Sequence, residues 1–118
     1  MDDGRPIFQQ IAESLEAQIL DGSMPEESRV PSINELAAFH RINPATALKG
    51  VNMLVDDGLI IKRRGIGMFV ADGARAALLA QRRAEFQSAY VAPLAAKARA
   101  LGITNAELQK MTSKEMDG

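Results

Sequence analysis

Pro31-Ser32-Ile33-Asn34-Glu35-Leu36-Ala37-Ala38-Phe39-His40-Arg41-Ile42-Asn43-Pro44-Ala45-Thr46-Ala47-Leu48-Lys49 holds two helix starts in close succession. Ser32 followed three residues later by Glu35 is a capping box: the hydroxyl accepts an N–H that the first turn leaves free, and the carboxylate reaches back to the cap. The helix it opens is short, Ile33 to His40, with Ile33, Leu36 and Ala37 inward. Asn43-Pro44 is the second start, an N-cap followed by proline at the first helical position, where a missing N–H costs nothing. This helix runs to Asp56-Asp57 and ends at Gly58. Two short helices separated by so brief a turn have helix-turn-helix spacing.

Upstream, Ile7, Ile11, Leu15 and Ile19 recur every fourth residue, and Phe8, Ala12 and Leu20 widen the stripe. This predicts an amphipathic helix that begins near Pro6 and stops at Asp21-Gly22. Ser23-Met24-Pro25 is turn-rich, and Glu26 to Val30 reads as a polar connector. Downstream, Leu59 to Val70 places two β-prone runs around a glycine-bearing turn, the pattern of a hairpin. Its tip carries Lys62, Arg63 and Arg64, the densest basic cluster in the chain, and Asp72-Gly73 closes the unit. The expected fold is mainly α with a small β-hairpin. Residues 1–72 form a winged helix-turn-helix and residues 73–118 a helical dimerisation region.

From Ala74 to Leu101 the chain is alanine-rich, with Leu79, Phe86, Tyr90, Leu94 and Leu101 at helical spacing. Pro93 is expected to kink or split that helix. Gly102 ends it, Thr104 and Glu107 form a further capping box, and the tail after Lys114 is expected to fray. A Phe/Tyr/Leu stripe on an isolated helix needs somewhere to bury itself, which is why these five residues are the expected dimer face.

Sorting the helix after Asn43 at about 100° per residue puts Ala47, Leu48, Val51, Leu54 and Val55 on the core side. Ala45, Thr46, Lys49, Asn52 and Met53 fall on the outward side. That side offers hydrogen bonds and one cation to a groove; its plainer reading is an ordinary solvated face. The Lys62-Arg63-Arg64 cluster likewise has a plain reading, since lysine and arginine discourage strand-edge pairing.

Charge does not advertise nucleic acid. The net charge is −1, and residues 1–72 carry 7 Lys and Arg against 11 Asp and Glu, whereas residues 73–118 carry 7 against 4. Phosphate attraction therefore depends on where the cations sit, because it is screened beyond about 10 Å at 0.1 M salt. There is no cysteine, which excludes disulfides and thiolate metal sites, and His40 is the one histidine, read as a capping or packing group. No metal and no cofactor are expected. Neither a Walker-type loop nor a Ser/His/Asp set is present, so no enzymatic activity is expected. No apolar run approaches the roughly 20 residues of a membrane span, and the first residues do not open a signal peptide. The expected location is the cytoplasm.

The residues also resemble a known family. Arg29-Val30-Pro31-Ser32 with Glu35-Leu36-Ala37, Ile42-Asn43-Pro44-Ala45-Thr46-Ala47 with Lys49, and Asp57-Gly58-Leu59-Ile60 with Arg63-Arg64-Gly65-Ile66-Gly67-Met68-Phe69-Val70 resemble the GntR family of bacterial regulators. Pro6-Ile7-Phe8-Gln9-Gln10-Ile11 is similar to its opening motif. The short tail and Asn43-Pro44-x-Thr46-x-x-Lys49 look like the YtrA subfamily, which joins a winged helix to a small helical dimerisation region. The resemblance implies a transcriptional regulator, more often a repressor, that binds a palindromic operator as a homodimer. It puts DNA contacts on Ser32, Asn43, Thr46, Lys49, Arg63, Arg64, Gly65 and Gly67. Arg29, Asn34, Ala45 and Lys62 complete the candidate set. Many family members carry arginine where this chain has Asn34, Pro44 and Leu48.

Within that set, Ser32 and the start of its helix suit phosphate, through free N–H groups and the helix dipole. Thr46 and Lys49 suit base edges in the major groove, and the wing arginines a flanking minor groove or the backbone. Two other readings compete. One is a winged helix that docks a protein, favoured by the acidic balance of residues 1–72. The other is a sensor gated by an unidentified small-molecule effector, for which the roughly 45 residues after Gly73 leave little room within one subunit.

Overall fold

The computed structural model describes residues 4–118. The first helix, α1 (Ile7–Asp21), buries Ile11, Leu15 and Ile19, three of the four stripe residues; Ile7, at its first turn, stays exposed. It ends at Gly22, whose φ of 85° is a backbone conformation that glycine adopts without steric cost. Next come β1 (Arg29–Val30), α2 (Ile33–His40), α3 (Pro44–Asp56), β2 (Ile60–Arg63) and β3 (Gly67–Val70).

The hairpin expected from Leu59 to Val70 is present as β2 and β3, but it belongs to a three-stranded antiparallel sheet in the order β1-β3-β2. The connector read from Glu26 to Val30 is therefore corrected, since it ends in a strand. Arg29 stands opposite Phe69 and Val30 opposite Met68. The segment leading in is already paired: the Glu27 N–H donates to the Val70 carbonyl at 2.8 Å, and the Val70 N–H to the Ser28 carbonyl at 2.9 Å. A two-residue strand is too short to leave a period-two signature, so only its partner strand reveals it.

The core gathers the inner faces of the three helices and the sheet, with Ile11, Leu15, Ile19, Val30, Val51, Leu54, Ile60 and Val70 almost wholly enclosed. One detail of α3 departs from its angular sorting. Leu48 is 38% exposed, and the buried arc is Ala47, Gly50, Val51 and Leu54. The cause is Gly50. A Cβ there would stand 2.8 Å from the Phe8 carbonyl oxygen and 3.1 Å from the Ile11 side chain. Glycine lets the backbones of α1 and α3 meet, a packing advantage set against its helix penalty of roughly 1 kcal/mol. That close approach turns α3 so that Leu48 lies at the rim.

The remaining elements are α4 (Ala74–Phe86), a π-helical segment (Gln87–Val91), α5 (Ala92–Ala100) and α6 (Asn105–Asp117). The chain divides into two compact units, one ending at Ala80 and the other beginning at Gln81, so the division falls inside α4. In the first unit Ala74 and Leu78 are buried in the core, and the Arg75 Nε donates to the Leu20 carbonyl at 3.0 Å. The opening turns of α4 thus complete the core of the first unit.

In the second unit the helix is interrupted next to Pro93, as expected, but by a π-helical stretch and without leaving helical backbone. The five π-helical residues before Pro93 widen the coil, and the Ala92 N–H reaches back to the Gln87 carbonyl. Proline lacks the N–H that α-helical pairing would require of it, and a wider turn absorbs that mismatch. Gly102, at φ 70°, closes α5 with the Ile103 N–H on the Ala98 carbonyl at 2.9 Å. Thr104 and Glu107 form the expected capping box, and α6 continues through Asp117 rather than fraying after Lys114. The second unit has a single buried residue, Ala98, among those described.

Candidate nucleic-acid interface

The start of α3 is closed by its own cap. The Asn43 Oδ1 accepts the Ala45 N–H at 2.8 Å, and the Asn43 carbonyl accepts the N–H groups of Thr46 and Ala47 at 2.9 and 3.1 Å. Pro44 has no N–H to offer. Every backbone donor of this turn is thus engaged, and anything α3 recognises must be recognised by side chains. Of these, Ala45 and Lys49 are exposed, Thr46 and Asn52 half-buried.

Lys49 and Asn52 lie one turn apart in a shallow depression that also includes Phe8 and Asp56. The Lys49 ammonium sits 4.0 Å from the centre of the Phe8 ring. Asn52 looks the other way, toward the hairpin: its Oδ1 accepts a hydrogen bond from the Lys62 Nζ at 2.7 Å. Asn52, on the same depression of α3 as Lys49, thus ties that face of the helix to the wing through Lys62.

Strand alternation divides the basic cluster. Lys62 pairs with Met68 on the face turned to α3, and Arg63 pairs with Gly67 on the opposite face, its guanidinium 5.1 Å from the Phe69 ring centre. Arg64 is exposed at the turn. The Ile66 N–H donates to the Arg63 carbonyl at 2.9 Å, which closes a tight turn with Gly65 at φ 75°. Gly67 has φ 144°, and a Cβ on it would stand 3.2 Å from the Arg29 guanidinium. Glycine there lets Arg29 of β1 lie across the base of the wing.

That contact joins a second group of residues. A cleft of about 420 Å³ is lined by Arg29, Ser32 and Ile33 on one side and by Arg63, Arg64 and Ile66 on the other. Ser32 is engaged in the capping box: its Oγ accepts the Glu35 N–H and its N–H donates to Glu35 Oε1, both at 3.1 Å. The Ser32 backbone hydrogen bond, followed by that of its side chain, holds the Glu35 carboxyl below the usual glutamate range. Asn34 is exposed on the first turn of α2. An ionised Glu35 at this helix start already complements the dipole, so a phosphate arriving here meets an anion as well as the free donors of α2.

Both groups therefore converge on the wing, Lys49 and Asn52 from one side, Arg29 and Ser32 from the other. The sequence puts Asn52 on the outward face without giving it a partner, and Phe8 on the apolar stripe of α1 without linking it to Lys49. The alternation that separates Lys62 from Arg63 is legible once the strand is assigned; the Asn52–Lys62 bond is not, because it joins elements distant in sequence. His40 is half-buried with its ring edge-on to Phe39, centroids 4.9 Å apart. Among the described residues no group of three His, Asp or Glu side chains is placed to hold a metal ion. Nor is any helix of these residues long and apolar enough to cross a membrane.

In the second unit the Phe86 and Tyr90 rings lie tilted against each other, centroids 5.5 Å apart and planes at 38°. Leu79, Phe86, Tyr90, Leu94 and Leu101 are all exposed, Phe86 and Tyr90 by 59% and 67%.

Comparison with known proteins agrees with this architecture. Residues 7–70 match the family model described as bacterial regulatory proteins, gntR family. The HTH-type transcriptional repressor YtrA of Bacillus subtilis is 32% identical over 74 residues, covering 63% of this chain and 57% of that protein. A solved structure of a GntR-family regulator from Bacteroides thetaiotaomicron superposes with a TM-score of 0.79 at 32% identity, covering 94% of this chain and 96% of that one. The DNA-binding domain of AraR, solved in complex with its operator ORX1, superposes with a TM-score of 0.57 at 28% identity, covering 60% of this chain and 86% of that one. The chain spans between about a quarter and three-fifths of the length of the curated relatives it matches.

Proposed function

The chain belongs to the GntR family of bacterial transcriptional regulators, and from that premise we propose that it is a repressor that binds a two-fold symmetric operator as a homodimer. The observation that carries this reading is the Asn52–Lys62 hydrogen bond, which ties the α3 face that bears Lys49 to the wing. A duplex presented to that surface meets Thr46 and Lys49 in its major groove, where Lys49 faces guanine O6 and N7 and Thr46 offers a hydroxyl and a methyl. Arg64 and the tight Gly65–Gly67 turn then lie over the neighbouring minor groove or its phosphates. Arg29 and Ser32, with the free donors of α2, meet the backbone on the far side of the wing. Asn43 and Ala45 act by shaping the entry of α3, since the Asn43 oxygen is spent on its cap.

One copy makes few contacts. The exposed Phe86 and Tyr90, with Leu79, Leu94 and Leu101, and a second unit with almost no interior of its own, support the pairing of two copies through these helices. Pairing also matches protein symmetry to operator symmetry. The relatives named as repressors support the sign of regulation.

The test is selection of bound duplexes from a random library, followed by binding of the recovered site at rising salt. Three cations per protomer at the backbone (Arg29, Lys62 and Arg64) give a dimer about six phosphate contacts. Its affinity should then fall about a thousandfold between about 50 and about 200 mM salt. Recovery of an inverted repeat with that dependence is the expected result. No enrichment, or affinity indifferent to salt, would overturn the proposal.

A further inference from the structure

We infer that Phe8, on the first helix, is the positioning residue for Lys49, and that the protein's preference at the base pair facing Lys49 depends on this ring. The inference rests on the DNA-binding reading above and deepens it. A lysine on an exposed helix face ordinarily samples many rotamers, and a reader that must find one base edge loses selectivity to that freedom. Here the ammonium stands 4.0 Å above the Phe8 ring centre, within the range of a cation–π contact. An ammonium seated on a ring face turns one side to the π cloud and keeps its other N–H groups for acceptors. The ring thus fixes where the charge is without using up what it can donate.

The placement of Phe8 is itself constrained. The N–H groups of Gln9 and Gln10 both donate to the Pro6 carbonyl, at 3.1 and 3.3 Å, and the Gln10 Nε2 donates to the Arg5 carbonyl at 2.9 Å, which fixes the first turn of α1. Gly50, the residue after Lys49, is where the Phe8 carbonyl meets α3, with no room for a Cβ. The contact that brings the two backbones together is therefore adjacent to the lysine that the ring supports. Asp56 borders the same depression, and its carboxylate lies on the same helix as Lys49 without displacing the ammonium from the ring.

The test uses the full chain with Phe8→Leu, which keeps apolar bulk without a π face, Phe8→Tyr, which keeps the ring, and Phe8→Met as a second ringless variant should leucine disturb the fold. In the free protein, the ε-methylene protons of Lys49 should be shifted upfield by the ring current in the parent and in Phe8→Tyr, and return to ordinary lysine positions in the ringless variants. Against a panel of single base-pair changes in the selected operator, the ringless variants should lose about three- to tenfold of the preference at one symmetric pair. Their affinity for non-specific DNA should stay within about twofold of the parent. On a Lys49→Ala background the same substitution should change nothing at that pair. An unshifted Lys49 methylene in the parent, equal losses across all sequences, or additive effects with Lys49→Ala would each overturn the inference. A parent that prefers no sequence would overturn both the DNA reading and this role, and the ring-current shift would then report a contact without that function.

Discussion

Replacing Phe86 and Tyr90 together by alanine should convert the proposed dimer to a monomer and lower affinity for the operator at least about a hundredfold. Both side chains are largely exposed in the single chain, and both belong to the residue types that dominate association energetics. If each buries on the order of 100 Å² of apolar surface on pairing, the two contribute about 5 kcal/mol per protomer before the costs of association. Loss of pairing removes the local concentration that makes the second half-site contact nearly intramolecular, and tethering of this kind is worth about 10² to 10⁴ in affinity. Sedimentation velocity and operator binding on the same samples check both halves. A double variant that remains dimeric, or a monomer that binds as tightly as the parent, would remove the dimer face from these helices. Truncation is a poorer probe when cut at residue 73, because it removes Ala74 and Leu78 from the first unit's core; a cut after Ala80 keeps them.

The second large effect separates reading from holding. Lys49→Ala should weaken the best operator about ten- to a hundredfold and leave non-specific binding almost intact, because a lost base contact costs roughly 1–3 kcal/mol only where the right base is present. Arg64→Ala should instead weaken binding to every sequence by a similar factor. It should also reduce the salt slope by about one charge per protomer, the mark of a phosphate contact. Thr46→Ala should change the order of preference among operator variants rather than the overall affinity. Titrations of the selected site, its base-pair variants and an unrelated duplex distinguish the patterns. Uniform losses from both Lys49 and Arg64 would contradict the division of roles between α3 and the wing.

Much of this architecture is legible in the chain because local chemistry and global fold agree. Ser32 with Glu35, Asn43 with Pro44, and Thr104 with Glu107 mark helix starts that the structure reproduces at those residues, since capping is decided within a few positions of sequence. What escapes are features set by partners. β1 exists only because β3 lies beside it. The inward turn of Gly50 and outward turn of Leu48 follow from the approach of α1, and angular sorting of α3 alone has no access to that. Pro93 is an instructive middle case: proline chemistry correctly marks where regular helix is interrupted, and the chain accommodates it with a π-helical stretch instead of a break.

The candidate interface shows the same division. Its residue types were visible, as was the grouping of cations at the hairpin tip. Its connectivity was not, because Lys62 to Asn52, Arg29 over Gly67 and Lys49 over Phe8 each join segments far apart in sequence. These links also explain how an acidic first unit can bind a polyanion. Lys49 and Lys62 are held where α3 and the wing meet, Arg29, Arg63 and Arg64 line the wing's cleft, and screening makes distant carboxylates weak opponents.

The claim on which the rest depends is that α3 and the wing grip one duplex together, the helix in the major groove and the wing over the groove beside it. The chain has no cysteine, so Ile66→Cys at the exposed wing tip provides a single attachment point for an iron chelate that cuts nearby DNA. Bound to the selected operator, the labelled protein should cut at two symmetric clusters flanking the bases that Lys49→Ala leaves unread. Cutting spread evenly along the duplex, or centred on those same bases, would contradict it.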